Sequence, residues 1–184
     1  MIKSVCLYCA SSDAADPDFL EAAADFGRTL AAEQVRLVYG GGGIGLMGAA
    51  AKACHGAGGR ILGVMPEFLR TREILYDTVE TVVVRSMHER KIMMFDESDA
   101  FVVMPGGIGT LEEIVELLSW RRLDLHRKPI VFHNPKDFWR PFYAMIDFMA
   151  EQKLTPAWMN QTWASVERVE DILPALRAPV RTLV

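Results

Sequence analysis

Two carboxylates follow a glycine-rich turn in Pro105-Gly106-Gly107-Ile108-Gly109-Thr110-Leu111-Glu112-Glu113. A helix is predicted to start at Thr110. Three glycines at a helix N-terminus leave backbone N–H groups open, and the helix dipole favours an anion there. A phosphate would be favoured there. Glu112 and Glu113 would then stand beside the sugar of a phosphate ester. Carboxylates repel an anion, so they suit chemistry better than affinity. The same residues also have a purely structural reading. Thr110 with Glu113 matches the S/T-x-x-E capping box, in which the two would only close the helix end.

A second glycine run, Gly40-Gly-Gly-Gly-Ile-Gly-Leu-Met-Gly48, contains the spacing G-x-G-x-x-G. It follows the second predicted strand, whereas a dinucleotide fingerprint follows the first strand of its unit. No Lys-Ser/Thr follows the last glycine, so it is not a Walker loop. The run either lends backbone donors to a ligand or makes a tight turn, with Gly48 allowing close packing. A third cluster, Met87-His-Glu-Arg-Lys91, sets Arg90 and Lys91 at the start of a predicted helix. It is either part of a site or a solvated face. His55, His126 and His133 stand alone, and no metal-ligand spacing exists; Glu113 and Glu116 lack further ligands. No metal is expected.

These residues need a frame. The apolar pattern predicts strands over Ser4–Cys9, Val35–Tyr39, Arg60–Met65 (stopped by Pro66), Thr78–Arg85, Ala100–Met104 and Lys128–His133. Helices are predicted over Asp18–Glu33, Leu46–His55, Met87–Glu97, Thr110–Arg122 and Phe138–Gln152. A short extended piece at Trp163–Val166 and a last helix at Val169–Arg177 complete the chain. Strands apolar on both faces and alternating with helices suit an α/β fold, a mainly parallel sheet covered by helices on both faces. Ligands bind such sheets beyond the carboxyl ends of the strands, where both glycine runs fall. The segment 67–77 has no clean period and is expected to be a loop over the site. Cys6 and Cys9 form C-x-x-C, but on a strand they face opposite sides and make no metal or redox pair.

The length of 184 residues fits one domain, 1–184. A net charge of −4 argues against a nucleic-acid polymer as partner and leaves room for a small nucleotide. No apolar run reaches the roughly 18 residues of a membrane helix. The N-terminus lacks a secretory pattern, so a cytoplasmic protein with no membrane partner is expected.

Met87-His-Glu-Arg-Lys91 followed by Pro105-Gly-Gly-Ile-Gly-Thr-Leu-Glu-Glu113 resembles the Lonely Guy family, the cytokinin-activating phosphoribohydrolases. The separation of Arg90 from Glu113 fits as well. Tyr8-Cys-Ala-Ser-Ser12 is similar to the family's start, with Ala10 in place of glycine, and Gly41–Gly48 to its first glycine loop. The resemblance covers roughly residues 2–153. It implies a Rossmann-like three-layer fold, a homodimer with room for higher assembly, and no cofactor. The implied reaction hydrolyses the N-glycosidic bond of N6-substituted adenosine 5′-monophosphates, or of AMP itself. Free base and ribose 5-phosphate are the products. By position, Arg90 and Glu113 are the catalytic pair, and Gly107, Gly109 and Thr110 hold the phosphate. Lys91, Glu112 and Ser119 complete the nucleotide site, with Gly42 and Gly43 of the first loop and Glu73 of Thr71-Arg-Glu-Ile74 as further substrate contacts. The family has also been labelled lysine decarboxylase; pyridoxal chemistry needs a Schiff-base lysine and a ring-nitrogen partner, and neither is marked. Two other classes remain: a non-catalytic nucleotide or cofactor carrier on the same loops, and a nicotinamide oxidoreductase using Gly43–Gly48.

Overall fold

β-Strands buried on both faces are the sequence's strongest feature, and they form the centre of the molecule. The computed structural model describes residues 1–71 and 74–178. Among these, β1 (Ser4–Tyr8), β2 (Arg36–Tyr39), β3 (Ile61–Pro66), β4 (Thr81–Val84), β5 (Ala100–Val103), β6 (Ile130–His133) and β7 (Ala164–Val166) make one sheet. Its order is β4-β3-β2-β1-β5-β6-β7, and every neighbouring pair is parallel. The expected α/β architecture is therefore observed, with a wholly parallel sheet. β3 ends at Pro66, which is itself the strand's last residue, opposite Val84.

Helices cover both faces. α1 (Pro17–Ala32), α2 (Gly45–Gly56) and α6 (Ile172–Arg177) take one side, packing on Val5, Leu7, Leu37, Tyr39 and Val102. α3 (Met87–Asp96), α4 (Ile108–Arg122) and α5 (Arg140–Glu151) take the other, packing on Cys6, Val38, Phe101 and Phe132. Cys6 and Cys9 fall in opposite layers, as alternation along a strand requires. Phe26, Leu30, Leu37, Phe101 and Phe132 are fully buried. Each such side chain contributes roughly 1.5–3 kcal/mol by leaving water. No helix among the described residues is long and apolar enough to cross a membrane.

The chain steps outward from β1 to β4, crosses back through α3 to β5, and then steps outward on the other side. The direction changes between β1 and β5. Their carboxyl ends diverge into separate loops there, which leaves a crevice. Ala10 N–H donates to the Pro105 carbonyl at 3.1 Å and ties the two loops at its base. Asp13 anchors the far side by accepting from Gly45 N–H at 2.8 Å.

Gly45 adopts φ +60°, and a Cβ there would lie 2.6 Å from the Ser11 carbonyl carbon. Only glycine meets both demands. Gly45→Ala is expected to lower stability by about 2–4 kcal/mol through strain and displaced backbone. Urea unfolding checks this; an unchanged midpoint would show that the loop yields freely.

Candidate active site

Helix α4 creates the central feature. Its first residue is Ile108, two positions before the expected start, and Gly107 is its N-cap with no side-chain cap bond. The capping-box reading of Thr110 and Glu113 is thereby corrected. Thr110 is the third helical residue, buried and folded back so tightly that a Cβ on Gly106 would meet its Oγ1 at 2.2 Å. The first N–H groups of α4, at Ile108, Gly109 and Thr110, have no intrahelical acceptor. Gly107 and Gly109 are exposed, and a Cβ at either would meet no protein atom within 4 Å. The helix end is open on its ligand side.

The S-x-x-E arrangement occurs instead on α3. Ser86 accepts from Glu89 N–H at 3.1 Å, and the Glu89 carboxylate accepts from Arg85 N–H at 2.8 Å. Such caps contribute about 1 kcal/mol. They fix the helix one turn before Arg90.

Arg90 is 3% exposed. Its Nη2 donates to the Gly40 carbonyl at 3.0 Å. A Cβ on Gly40 would lie 1.9 Å from that nitrogen, so the last position before the first glycine loop is small in order to seat the guanidinium.

Arg90 and Glu113 face one cavity of about 630 Å³, together with Gly107, Gly109, Thr110 and Glu112. Cys9, Ala10, Ser11 and Ser12 from the loop after β1, and Met47, Leu69, Met87 and Ile108, supply the remaining wall. Leu69 belongs to the segment expected to lie over the site. Behind the charged pair, Tyr8 and Cys6 are buried. Burial first, and the Glu113 carboxylate second, push the Cys6 thiol well up. Burial likewise pushes the Tyr8 hydroxyl well up, so both groups stay neutral.

Several expected site residues lie elsewhere. Lys91 is buried beside the cavity and does not line it. Its Nζ pairs with Glu112 and, at 2.9 Å, with Glu116. Burial pulls its pKa down, but the two carboxylates outweigh this and the net shift is upward. Gly42 and Gly43 are buried outside the cavity wall. Gly43 N–H donates to Ile74 carbonyl at 2.7 Å, and Tyr76 N–H donates to Gly41 carbonyl at 3.1 Å. Gly48 lies so close to Gly43 that a Cβ would be 2.3 Å from its carbonyl. This run is a closed turn that anchors residues 74–76, which removes the basis of the nicotinamide reading. Ser119 is exposed on α4 and outside the cavity. Glu73 lies outside the described residues. Ser11 and Ser12 were missed as site residues, although their place at the end of β1 marks them once the strand order is known.

The fold and cavity define a doubly wound α/β protein whose ligand site lies at the change of strand direction, with an anion-accepting helix end on one side. Residues 47–176 match the model of a family described as "possible lysine decarboxylase". A cytokinin riboside 5′-monophosphate phosphoribohydrolase of Arabidopsis thaliana is 42% identical over 146 residues, 79% of this chain and 67% of its own. Another from the same plant is 36% identical over 177 residues, 96% of this chain and 78% of its own. A probable one of Oryza sativa subsp. japonica is 41% identical over 151 residues, 82% of this chain and 62% of its own. The chain thus spans about two thirds of the length of two of these three relatives. It belongs to the Lonely Guy family of cytokinin riboside 5′-monophosphate phosphoribohydrolases. Among solved structures, a molybdenum cofactor carrier protein of Chlamydomonas reinhardtii superposes with a TM-score of 0.71 at 18% identity, over 96% of this chain and 97% of that one. A molybdenum cofactor binding protein of Rippkaea orientalis gives 0.69 at 20% identity, over 97% of each chain. At such identity the likeness is one of fold.

Proposed function

We propose that the chain hydrolyses the N-glycosidic bond of N6-substituted adenosine 5′-monophosphates and of AMP, releasing free base and ribose 5-phosphate. The observation that carries this is the convergence of Arg90 and Glu113 on one cavity with the open end of α4. The 5′-phosphate takes the N–H groups around Gly107, Gly109 and Thr110, where it meets the helix dipole. Fixing the phosphate fixes the sugar against Glu113. As the bond from the base nitrogen to C1′ breaks, its electron pair leaves with the base and the sugar becomes oxocarbenium-like. The Glu113 carboxylate stabilises that cation and takes a proton from the attacking water, whose oxygen bonds C1′. Arg90 stabilises charge on the departing base, and the proton that Glu113 takes from water passes on through solvent to the base, which restores the carboxylate. Glu112 stands at the ribose.

The glycines give a test with opposite signs. Gly109→Ala removes a poor helix former and is expected to raise stability by up to about 1 kcal/mol. The new methyl group points into open space on the ligand side. AMP affinity is expected to fall about tenfold, the cost of one strong anion contact. Melting curves and calorimetry read the two effects. Unchanged affinity would put the phosphate elsewhere.

Chromatography of the free base after incubation with AMP and with isopentenyl-AMP tests the activity itself. Equal amounts of base and ribose 5-phosphate are expected. Nucleotide bound without release of base would favour the carrier reading. No lysine is among the described residues lining the cavity, and the Lys91 ammonium is turned to Glu112 and Glu116; this does not favour a Schiff-base decarboxylase. The assembly proposed is a homodimer. Its support is the exposed Ile92 of α3 and Ile108 and Val115 of α4, apolar positions on adjacent elements. Light scattering checks it. Three buried cysteines without a disulfide suit the reducing cytoplasm, the compartment proposed.

A further inference from the structure

Lys91 stands next to Arg90 on α3, and its two partners, Glu112 and Glu116, flank Glu113 on α4. Its side chain is 10% exposed, while that of Glu112 is 51% exposed. Glu112 lines the cavity; Lys91 and Glu116 do not. A buried ammonium needs counter-charges, and here they come from two successive turns of the neighbouring helix. The structure assigns Lys91 as a positioning residue: its ammonium holds Glu112 Oε1, keeps α3 and α4 in register, and so presents the other Glu112 oxygen to the ribose hydroxyls. This rests on the phosphoribohydrolase reading and replaces direct contact between Lys91 and the nucleotide.

The physical consequence is a chain of dependence. Arg90 and Glu113, on different helices, must keep a fixed separation across the anomeric carbon. The bond from Lys91 to Glu112 is a cross-link between those helices one residue from each catalytic group, and Glu116 holds Lys91 one turn further along α4. It also offsets charge. Glu112, Glu113 and Glu116 put three carboxylates within two turns of a phosphate site. Lys91 cancels one of them without entering the space that the phosphate needs.

A double-mutant cycle tests the assignment. The variants are Lys91→Met, Glu112→Gln and the two combined, read by AMP affinity in equilibrium dialysis and by kcat and KM for base release. Each single change is expected to weaken AMP about tenfold, through loss or misplacement of one charge-assisted hydrogen bond. Lys91→Met is expected to raise KM in proportion and to lower kcat as well, since the helices that carry Arg90 and Glu113 lose the cross-link that sets their separation. The combined variant is expected to be no worse than Glu112→Gln alone, because Lys91 acts through that carboxylate. Multiplied losses, about a hundredfold, would mean that Lys91 touches the nucleotide and would overturn the assignment. So would Lys91→Met with unchanged affinity. Where Lys91→Met fails to fold, Lys91→Met/Glu116→Gln removes a charge of each sign and serves as the background for adding Glu112→Gln. Little further loss supports the assignment, and a further tenfold loss overturns it. The dialysis arm does not depend on turnover, so a wild type that binds AMP without releasing base would sink the hydrolase reading and still report on Lys91.

Discussion

Glu113→Gln is expected to lower base release by about a hundredfold to ten-thousandfold while AMP still binds within a few-fold of wild type. The amide keeps the size of the side chain and removes the charge. It can neither stabilise an oxocarbenium-like sugar nor take a proton from water, and such roles contribute rate factors of that order. Binding is expected to survive because the phosphate is proposed to sit at the N-terminus of α4, not on this carboxylate. The fold survives as well, since Glu113 is not a cap for α4, whose N-cap is Gly107. Single-turnover measurement with enzyme in saturating excess over AMP separates the chemical step from affinity. Equal loss in binding and in rate would make Glu113 a nucleotide anchor only.

Arg90→Ala is expected to damage three properties together. The guanidinium is buried and donates to the Gly40 carbonyl. Its removal leaves that carbonyl and a side-chain-sized void behind, a destabilisation of about 2–4 kcal/mol. It also removes the cation facing the departing base, with a fall in kcat of at least about a hundredfold. AMP affinity drops with it. Arg90→Lys is not expected to rescue, because one ammonium cannot serve both the carbonyl and the ligand as a fork does. Gly40→Ala gives an independent check. Gly40 does not line the cavity, yet its new methyl group would occupy the position of Arg90 Nη2. It should reproduce most of the kinetic loss. A fully active Gly40→Ala would show that the guanidinium reaches the ligand by another path.

Much of the frame was legible because its strands are buried on both faces. Ala100-Phe-Val-Val103 and Ile130-Val-Phe-His133 read as sheet centre from composition alone, and the helices between them follow from their apolar period. The start of α4 was not. Its N-cap is a glycine without a side-chain bond, so no residue marks it, while Thr110 and Glu113 offered a plausible cap three residues too late. The glycine runs misled for a related reason. Gly43 uses its N–H on Ile74 and Gly109 has no protein neighbour at its Cβ position, a difference set by what packs against each loop and not by the glycines themselves. Lys91 shows the same limit. Its partners are on another helix, and which face of α3 meets α4 is decided only when β4 and β5 take their places in the sheet. Ser11 and Ser12 became site residues only once β1 and β5 were neighbours.

The open end of α4 has one more implication, for the working range of the protein. The anion site proposed there is made of peptide N–H groups, and a peptide N–H does not titrate at any pH the fold meets. Retention of the phosphate is therefore governed by the ligand's own second ionisation, near pH 6 for phosphate monoesters. On the acid side of that value the ester carries a single charge and loses part of its attraction to the helix dipole. Above it the contribution of these N–H groups is constant, as long as Gly107 and Gly109 keep the approach clear. Such an anchor lets the walls that meet the base diverge freely while the phosphate end stays the same.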